Sequence, residues 1–212
     1  VVYQKNTISK KVYLTIKTKK MKLIFASSNK NKIVELQSML PDTITILSLE
    51  SIGCFEDIPE TSDTIEGNAI QKANYITEKY GFDCFADDTG LEVDSLNGAP
   101  GVYSARYAGP QRNADDNMTQ LLEALSGKEN RNAQFKTVIA LNLRGKQYLF
   151  TGTARGEITV AKTGNQGFGY DPIFRPIGYE ETFAQLSLAI KNKISHRGKA
   201  TQQLIDFLNE RK

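Results

Sequence analysis

Residues 85–109 read FADDTGLEVDSLNGAPGVYSARYAG: an apolar lead-in, two adjacent acids, Asp87 and Asp88, and a glycine-rich loop carrying Arg106 near its end. The lead-in CFAD (84–87) predicts a strand. Neighbouring side chains on a strand point to opposite faces, so the two acids divide their roles, one facing a site and the other supporting it. Carboxylates at a strand end followed by a tight loop suit a magnesium ion, which takes oxygen ligands and keeps waters and substrate phosphates in its shell. A turn closed by aspartate side chains accounts for the same residues equally well.

Outward from this stretch, strands alternate with helices, which predicts an α/β fold. KLIFAS (22–27) and TITILS (43–48) read as strands flanking a helix through KIVELQSML, with Ile33, Leu36 and Leu40 on one face and Pro41 ending it. A second helix is predicted from about Thr64 to Tyr80, where Ala69, Ile70, Ala73 and Ile76 recur at helical spacing before Gly81. NADDNMTQLLEALSG carries acids in its first turn and Leu121, Leu122 and Leu125 inside. QFKTVIALNL and QYLFTGTARGEITV flank Arg144-Gly145-Lys146 and read as a long hairpin. A last helix is expected over roughly 197–210, burying Ala200, Leu204, Phe207 and Leu208.

A chain of 212 residues, 40% hydrophobic and 24% charged, can bury one sizeable core and has no apolar run of bilayer length. The start lacks a secretory pattern, which points to the cytoplasm. Cys54 and Cys84 form no CxxC motif and suggest neither a disulfide framework nor a zinc site. The net charge of +3 is uneven: residues 1–20 hold six lysines and no acid, leaving 21 basic against 24 acidic residues in 21–212. A basic nucleic-acid face on the body of the protein is therefore not expected. Residues 1–20 read as a basic extension outside the core, and 21–212 as a single domain.

Four polar islands interrupt the framework. Ser27, Ser28, Asn29, Lys30, Asn31 and Lys32 lie between the first strand and first helix, where they act as a helix cap and offer N–H groups and ammoniums to an anion. Glu60 precedes the second helix and Glu66 opens it, the usual place for a dipole partner. ADDTG is the third. The fourth is split: GNQGFGYDPIF (164–174) pairs flexible glycines with the aromatic faces of Phe168 and Tyr170, and KNKISHRGK (191–199) holds the only histidine, His196, beside Arg197.

SSNKNK, FADDTGLEVDSLNGAPGVYSARYAG, GFGYDPIF and ISHRGKA, in this order, resemble the inosine triphosphate pyrophosphatase (Ham1-like) family over essentially residues 21–212. The resemblance implies an elongated α/β fold with a mixed central sheet flanked by helices, a substrate cleft between two lobes, and assembly as a homodimer. It implies magnesium-dependent hydrolysis of ITP, dITP and XTP to the monophosphate and pyrophosphate, clearing deaminated purines from the nucleotide pool. Carried over by motif, Ser27 to Lys32 hold the triphosphate, Glu60 and Asp88 coordinate magnesium, and Asp88 accepts a proton. Thr89 takes a position where the family often has serine. Phe168, Gly169, Tyr170, Asp171, Lys191, His196 and Arg197 match substrate-binding positions. EGNA (66–69) departs from the family pattern, with Gly67 where relatives often carry a second acid. The partner implied is a small nucleotide, with neither nucleic acid nor membrane. Two alternatives stay open: a pyrophosphatase for another modified nucleotide, and a non-enzymatic nucleotide- or RNA-binding module that uses the N-terminal lysines as an arm.

Overall fold

The strand that carries the two acids is ten residues long. In the computed structural model, which describes residues 20–211, β3 (Cys84–Val93) runs straight through Asp87, Asp88 and Thr89. The expected strand end and tight loop at the acids are corrected accordingly: β5 (Asn132–Leu143) pairs antiparallel with β3 along its whole length, Asp87 opposite Ile139 and Asp88 opposite Val138. The pairing satisfies the backbone that a turn would otherwise have closed. The expected basic extension, residues 1–20, lies outside the described residues apart from Lys20.

Around this pair the sheet is mixed. β1 (Met21–Phe25) lies parallel to both β2 (Ile44–Leu47) and β3. β5 continues antiparallel into β6 (Lys146–Ile158), which pairs with the short β7 (Phe174–Pro176). The order is β2-β1-β3-β5-β6-β7, with β4 (Pro100–Gly101) against the far end of β3.

Alternation along β3 sorts the helices onto two faces. Phe85 joins Leu23, Phe25, Ile139 and Leu141 beneath α1 (Lys30–Met39) and α5 (His196–Asn209), whose Leu36, Leu204 and Leu208 complete that core. Cys84 and Ala86 face the other way and pack with Val138 and Ala140 against Ala69, Ala73 and Ile76 of α2 (Ile65–Tyr80). A third core lies at the opposite end of the long strands, where Leu91, Val93, Phe135 and Ile158 meet Leu121 and Leu125, at the end of α3 (Ala114–Ala124), with Phe174 and Phe183. The cleft falls where the third core meets the other two.

One glycine sets how closely α5 approaches the sheet. A β-carbon on Gly152 of β6 would lie 2.0 Å from the His196 carbonyl oxygen and 2.6 Å from the Ala200 nitrogen. Both are backbone atoms, so any side chain at 152 would lift the helix start that carries His196 and Arg197.

Candidate active site

The Ser27–Lys32 island forms the turn into α1. Asn29 is its N-cap: its Oδ1 accepts from the backbone N–H groups of Asn31 at 3.0 Å and Lys32 at 3.2 Å. The Ile33 N–H donates to the Asn29 carbonyl at 3.1 Å, so Lys30 carries the one first-turn N–H not bonded within the turn, and the exposed side chains of Ser28, Lys30 and Asn31 beside it suit an anion. Lys32 turns inward, and its Nζ donates to Asp87 Oδ1 at 2.8 Å.

Asp87 is fully buried on this face and is held by two cations, with Arg197 Nε donating to its Oδ2 at 3.1 Å. Burial alone would raise its pKa, but Lys32 and Arg197 overcome that and hold the carboxyl well below the usual range. Asp87 is therefore the supporting acid. Asp88, on the opposite face, accepts from Asn68 Nδ2 at 3.3 Å and Lys72 Nζ at 3.4 Å. Burial pushes its carboxyl above the ordinary value, against the pull of Lys72. Lys72 also pairs with Glu60, so one ammonium bridges the two acids expected to hold magnesium. Although burial disfavours its charge, Asp88 and Glu60 raise its pKa, and it stays charged.

Among the described residues no group of three or more acids, histidines or cysteines is arranged to hold a metal. Glu60 and Asp88 on either side of one buried cation do fit a magnesium ion, which commonly uses one or two carboxylates and completes its shell with waters and phosphate oxygens.

At the other end of the cleft, Lys191 Nζ lies 5.1 Å and the Arg197 guanidinium 5.5 Å from the Phe168 ring centre, leaving a half-buried aromatic face backed by two cations. Lys191, on α4 (Leu188–Ile194), donates to Asp171 Oδ2 at 2.5 Å and Glu35 Oε1 at 2.7 Å. Arg197 donates to Glu35 Oε2 at 2.6 Å, Asp87, and Thr89 Oγ1 at 3.2 Å, committing three of its five N–H donors to protein. Asp171 also accepts from the Phe168 N–H at 2.8 Å, which shapes the loop around Gly169. Tyr170 is buried in the third core and donates to the Ser104 carbonyl at 2.9 Å, so its phenol ties the loop to the Ser104 turn. His196 is buried, stacks on Phe135 at 4.5 Å, and leaves its Nδ1 without a hydrogen-bond partner. Burial and the neighbouring Arg197 and Lys191 keep its pKa well below 6.5, so the imidazole is neutral.

All of these ends open on one cavity of about 710 Å³, lined by Ser27 to Lys32, Glu60, Asp88, Thr89, Phe168 to Asp171, Lys191, His196 and Arg197. Every residue singled out from the sequence for substrate or metal lines it, while Asp87 lies behind. Reading the sequence missed Glu35, Asn68 and Lys72. Asn68 and Lys72 are four apart on α2 beside the apolar stripe Ala69-Ala73-Ile76, and both are buried. A polar pair at helical spacing next to a buried stripe was the available signal. Gly67 has a local reason: the space its β-carbon would take is filled by the Ser62 hydroxyl, 1.9 Å away, so the loop before α2 closes over it. Glu66 is exposed in the first turn of the helix and outside the cavity lining.

A cationic helix start and a lysine-bridged acid pair at one end, with a cation-backed aromatic ring at the other, define the class: an α/β protein with a cleft shaped for a nucleoside polyphosphate. The sequence profile of the Ham1 family matches residues 23–207, and the chain belongs to that family. It is 73% identical over 192 residues to a dITP/XTP pyrophosphatase of Flavobacterium johnsoniae, a match covering 91% of this chain and all of the relative. It is 51% identical over 188 residues to one from Porphyromonas gingivalis, covering 88% and 97%. Among solved structures, the Ham1 protein of Staphylococcus aureus superposes with a TM-score of 0.83 at 40% identity, over 90% of this chain and all of that one. A nucleoside-triphosphatase / dITP/XTP pyrophosphatase of Mycobacterium abscessus gives 0.72 at 39% identity, over 87% and 99%.

Proposed function

We propose that this protein hydrolyses dITP, ITP and XTP to the nucleoside monophosphate and pyrophosphate, with Glu60 and Asp88 as the residues that would hold magnesium. The observation that carries the reading is Lys72, a buried cation bridging those two carboxylates in the same cleft as the α1 start and the Phe168 face. The likeness to named dITP/XTP pyrophosphatases supports the substrate class. Magnesium, when bound, neutralises phosphate charge and polarises the phosphoryl group under attack.

The protein's own groups do the rest. Lys30, with its side chain and its N–H at the α1 start, and Lys32 orient the phosphate chain, and Phe168 stacks on the purine. Asp88 takes the proton of the attacking water. Asp87 keeps Lys32 and Arg197 in place from behind. Hypoxanthine and xanthine carry a carbonyl oxygen at position 6, where adenine carries an amino group. Buried donors from the His196–Arg197 end reject the base that leaves them unpaired. Assembly as a homodimer and a cytoplasmic location belong to the same proposal and rest on the family likeness.

The test is turnover of ITP, dITP, XTP, ATP and GTP with pyrophosphate detection. The proposal requires the first three to exceed ATP by at least about a hundredfold in kcat/KM, as expected of a site built from buried hydrogen-bonding groups. Equal turnover of ATP removes it.

A further inference from the structure

We propose that Glu56 is a positioning residue for Glu60: with Tyr75, Lys79 and Tyr80 it latches the preceding loop to the end of α2 and so fixes the carboxylate pair that takes the divalent cation. The inference rests on the magnesium reading above.

The loop before α2 runs back along that helix in step with it. Glu56 Oε1 accepts from Tyr80 Oη at 2.6 Å, Lys79 Nζ at 2.7 Å and Tyr75 Oη at 2.9 Å, all at the helix's C-terminal end. Glu60 then meets Lys72. The Thr61 N–H donates to Gln71 Oε1 at 2.8 Å, and the Ser62 N–H to Asn68 Oδ1 at 2.9 Å. Thr64 caps the helix start by accepting from Gly67 at 3.0 Å. Successive loop residues thus bind successively earlier helix residues, with Glu60 flanked by the Glu56 cluster and core-packed Ile58 on one side and by Thr61 and Ser62 on the other.

An exposed lysine–glutamate pair by itself contributes little. Here, however, one carboxylate gathers three side-chain donors and the Phe55 N–H at 3.2 Å, and Lys79 also lies over the rings of Tyr75 and Tyr80 at 5.2 and 5.6 Å. Between buried Cys54 and half-buried Ile58 the chain has no apolar anchor, since Phe55 is 80% exposed and Glu56 and Asp57 face solvent. Between those two core-packed ends, the bonds of Glu56 hold residues 55–57 against the helix. The cluster makes no hydrogen bond to Asp88, Lys32 or Lys72; it acts on the acid pair through the span to Glu60, where Ile58 adds a contact with the α2-side core, and along α2, which carries Lys72.

Glu56→Gln and the milder Tyr80→Phe test it by two measurements: amide exchange over residues 54–62 of the substrate-free protein, and calorimetric titration of Mn²⁺ into protein holding an α,β-methylene analogue of dITP. We expect faster exchange confined to that loop and Mn²⁺ affinity weakened by about tenfold in Glu56→Gln, less in Tyr80→Phe. The magnesium concentration for half-maximal turnover should rise in parallel, with kcat recovered at saturating magnesium. Wild-type Mn²⁺ affinity in Glu56→Gln, whatever its exchange or melting temperature, overturns the latch alone. A wild-type protein that binds no Mn²⁺ overturns the magnesium reading and the latch with it.

Discussion

Asp87 and Asp88 are consecutive in the chain, yet their carboxylates answer to cations on opposite faces of the sheet: Lys32 Nζ lies 2.8 Å from Asp87 Oδ1 on the α1 side, and Lys72 Nζ lies 3.4 Å from Asp88 Oδ1 on the α2 side. The pair separates support from chemistry, and asparagine at each position should separate them experimentally. Asp88→Asn removes the proposed base and metal ligand, so turnover should fall by at least about a hundredfold. Its melting temperature should hold or rise, because burial already disfavours the Asp88 charge.

Asp87→Asn should do the reverse in emphasis. It leaves Lys32 and Arg197 buried without their shared carboxylate, a loss of about 3–5 kcal/mol for a broken buried pair. Thermal unfolding should show a fall of at least about 6 °C. A stable Asp87→Asn protein with turnover as low as Asp88→Asn would reverse the two roles.

Phe168, with Lys191 Nζ 5.1 Å and the Arg197 guanidinium 5.5 Å from its ring centre, is the proposed platform for the purine. Phe168→Ala should cost about 1–3 kcal/mol of stacking, seen as a KM for dITP raised by roughly ten- to a hundredfold with a much smaller change in kcat. Steady-state kinetics check it. An unchanged KM would place the base elsewhere in the cleft.

His196 gives a stability signature that is independent of activity. Its pKa is depressed in the fold from 6.5, so below that value the unfolded chain binds a proton that the native protein refuses. The stability His196 contributes is present above pH 6.5 and is lost as pH falls toward the folded pKa. Between about pH 7 and about pH 5 the wild-type melting temperature should therefore fall more steeply than that of His196→Phe, which keeps an aromatic ring against Phe135. Equal slopes in differential scanning calorimetry would contradict a buried neutral imidazole.

The layered α/β architecture was legible in the sequence because β1, α1, α2, α3 and the β5–β6 hairpin each carry a clean period and local stop signals. The extent of β3 was not. Asp87, Asp88 and Gly90 are poor strand formers and read as turn residues, and only the long-range ladder with β5 makes them strand. Helix α4 escaped for a related reason: its seven residues are too short to show a period, and buried Lys191 interrupts it. The motif residues of the cleft were readable one by one. The partners Glu35, Asn68 and Lys72 were not, because a charged residue on a helix reads as solvated until the opposing face is known. Glu35 in particular is buried only because Lys191 and Arg197, more than 150 residues away, are folded over it.

On the proposed reading, a triphosphate is cut between its α and β phosphorus atoms at the Asp88 end of the cleft, where Glu60 and Asp88 would hold magnesium. The most direct measurement is product analysis of dITP turnover, counting pyrophosphate and orthophosphate in wild type and Asp88→Asn, with magnesium and with chelator. The expected result is pyrophosphate and dIMP in equal amounts, no orthophosphate, loss of turnover with chelator, and loss again in Asp88→Asn. Orthophosphate as the product, or wild-type rates with chelator or in Asp88→Asn, would contradict it.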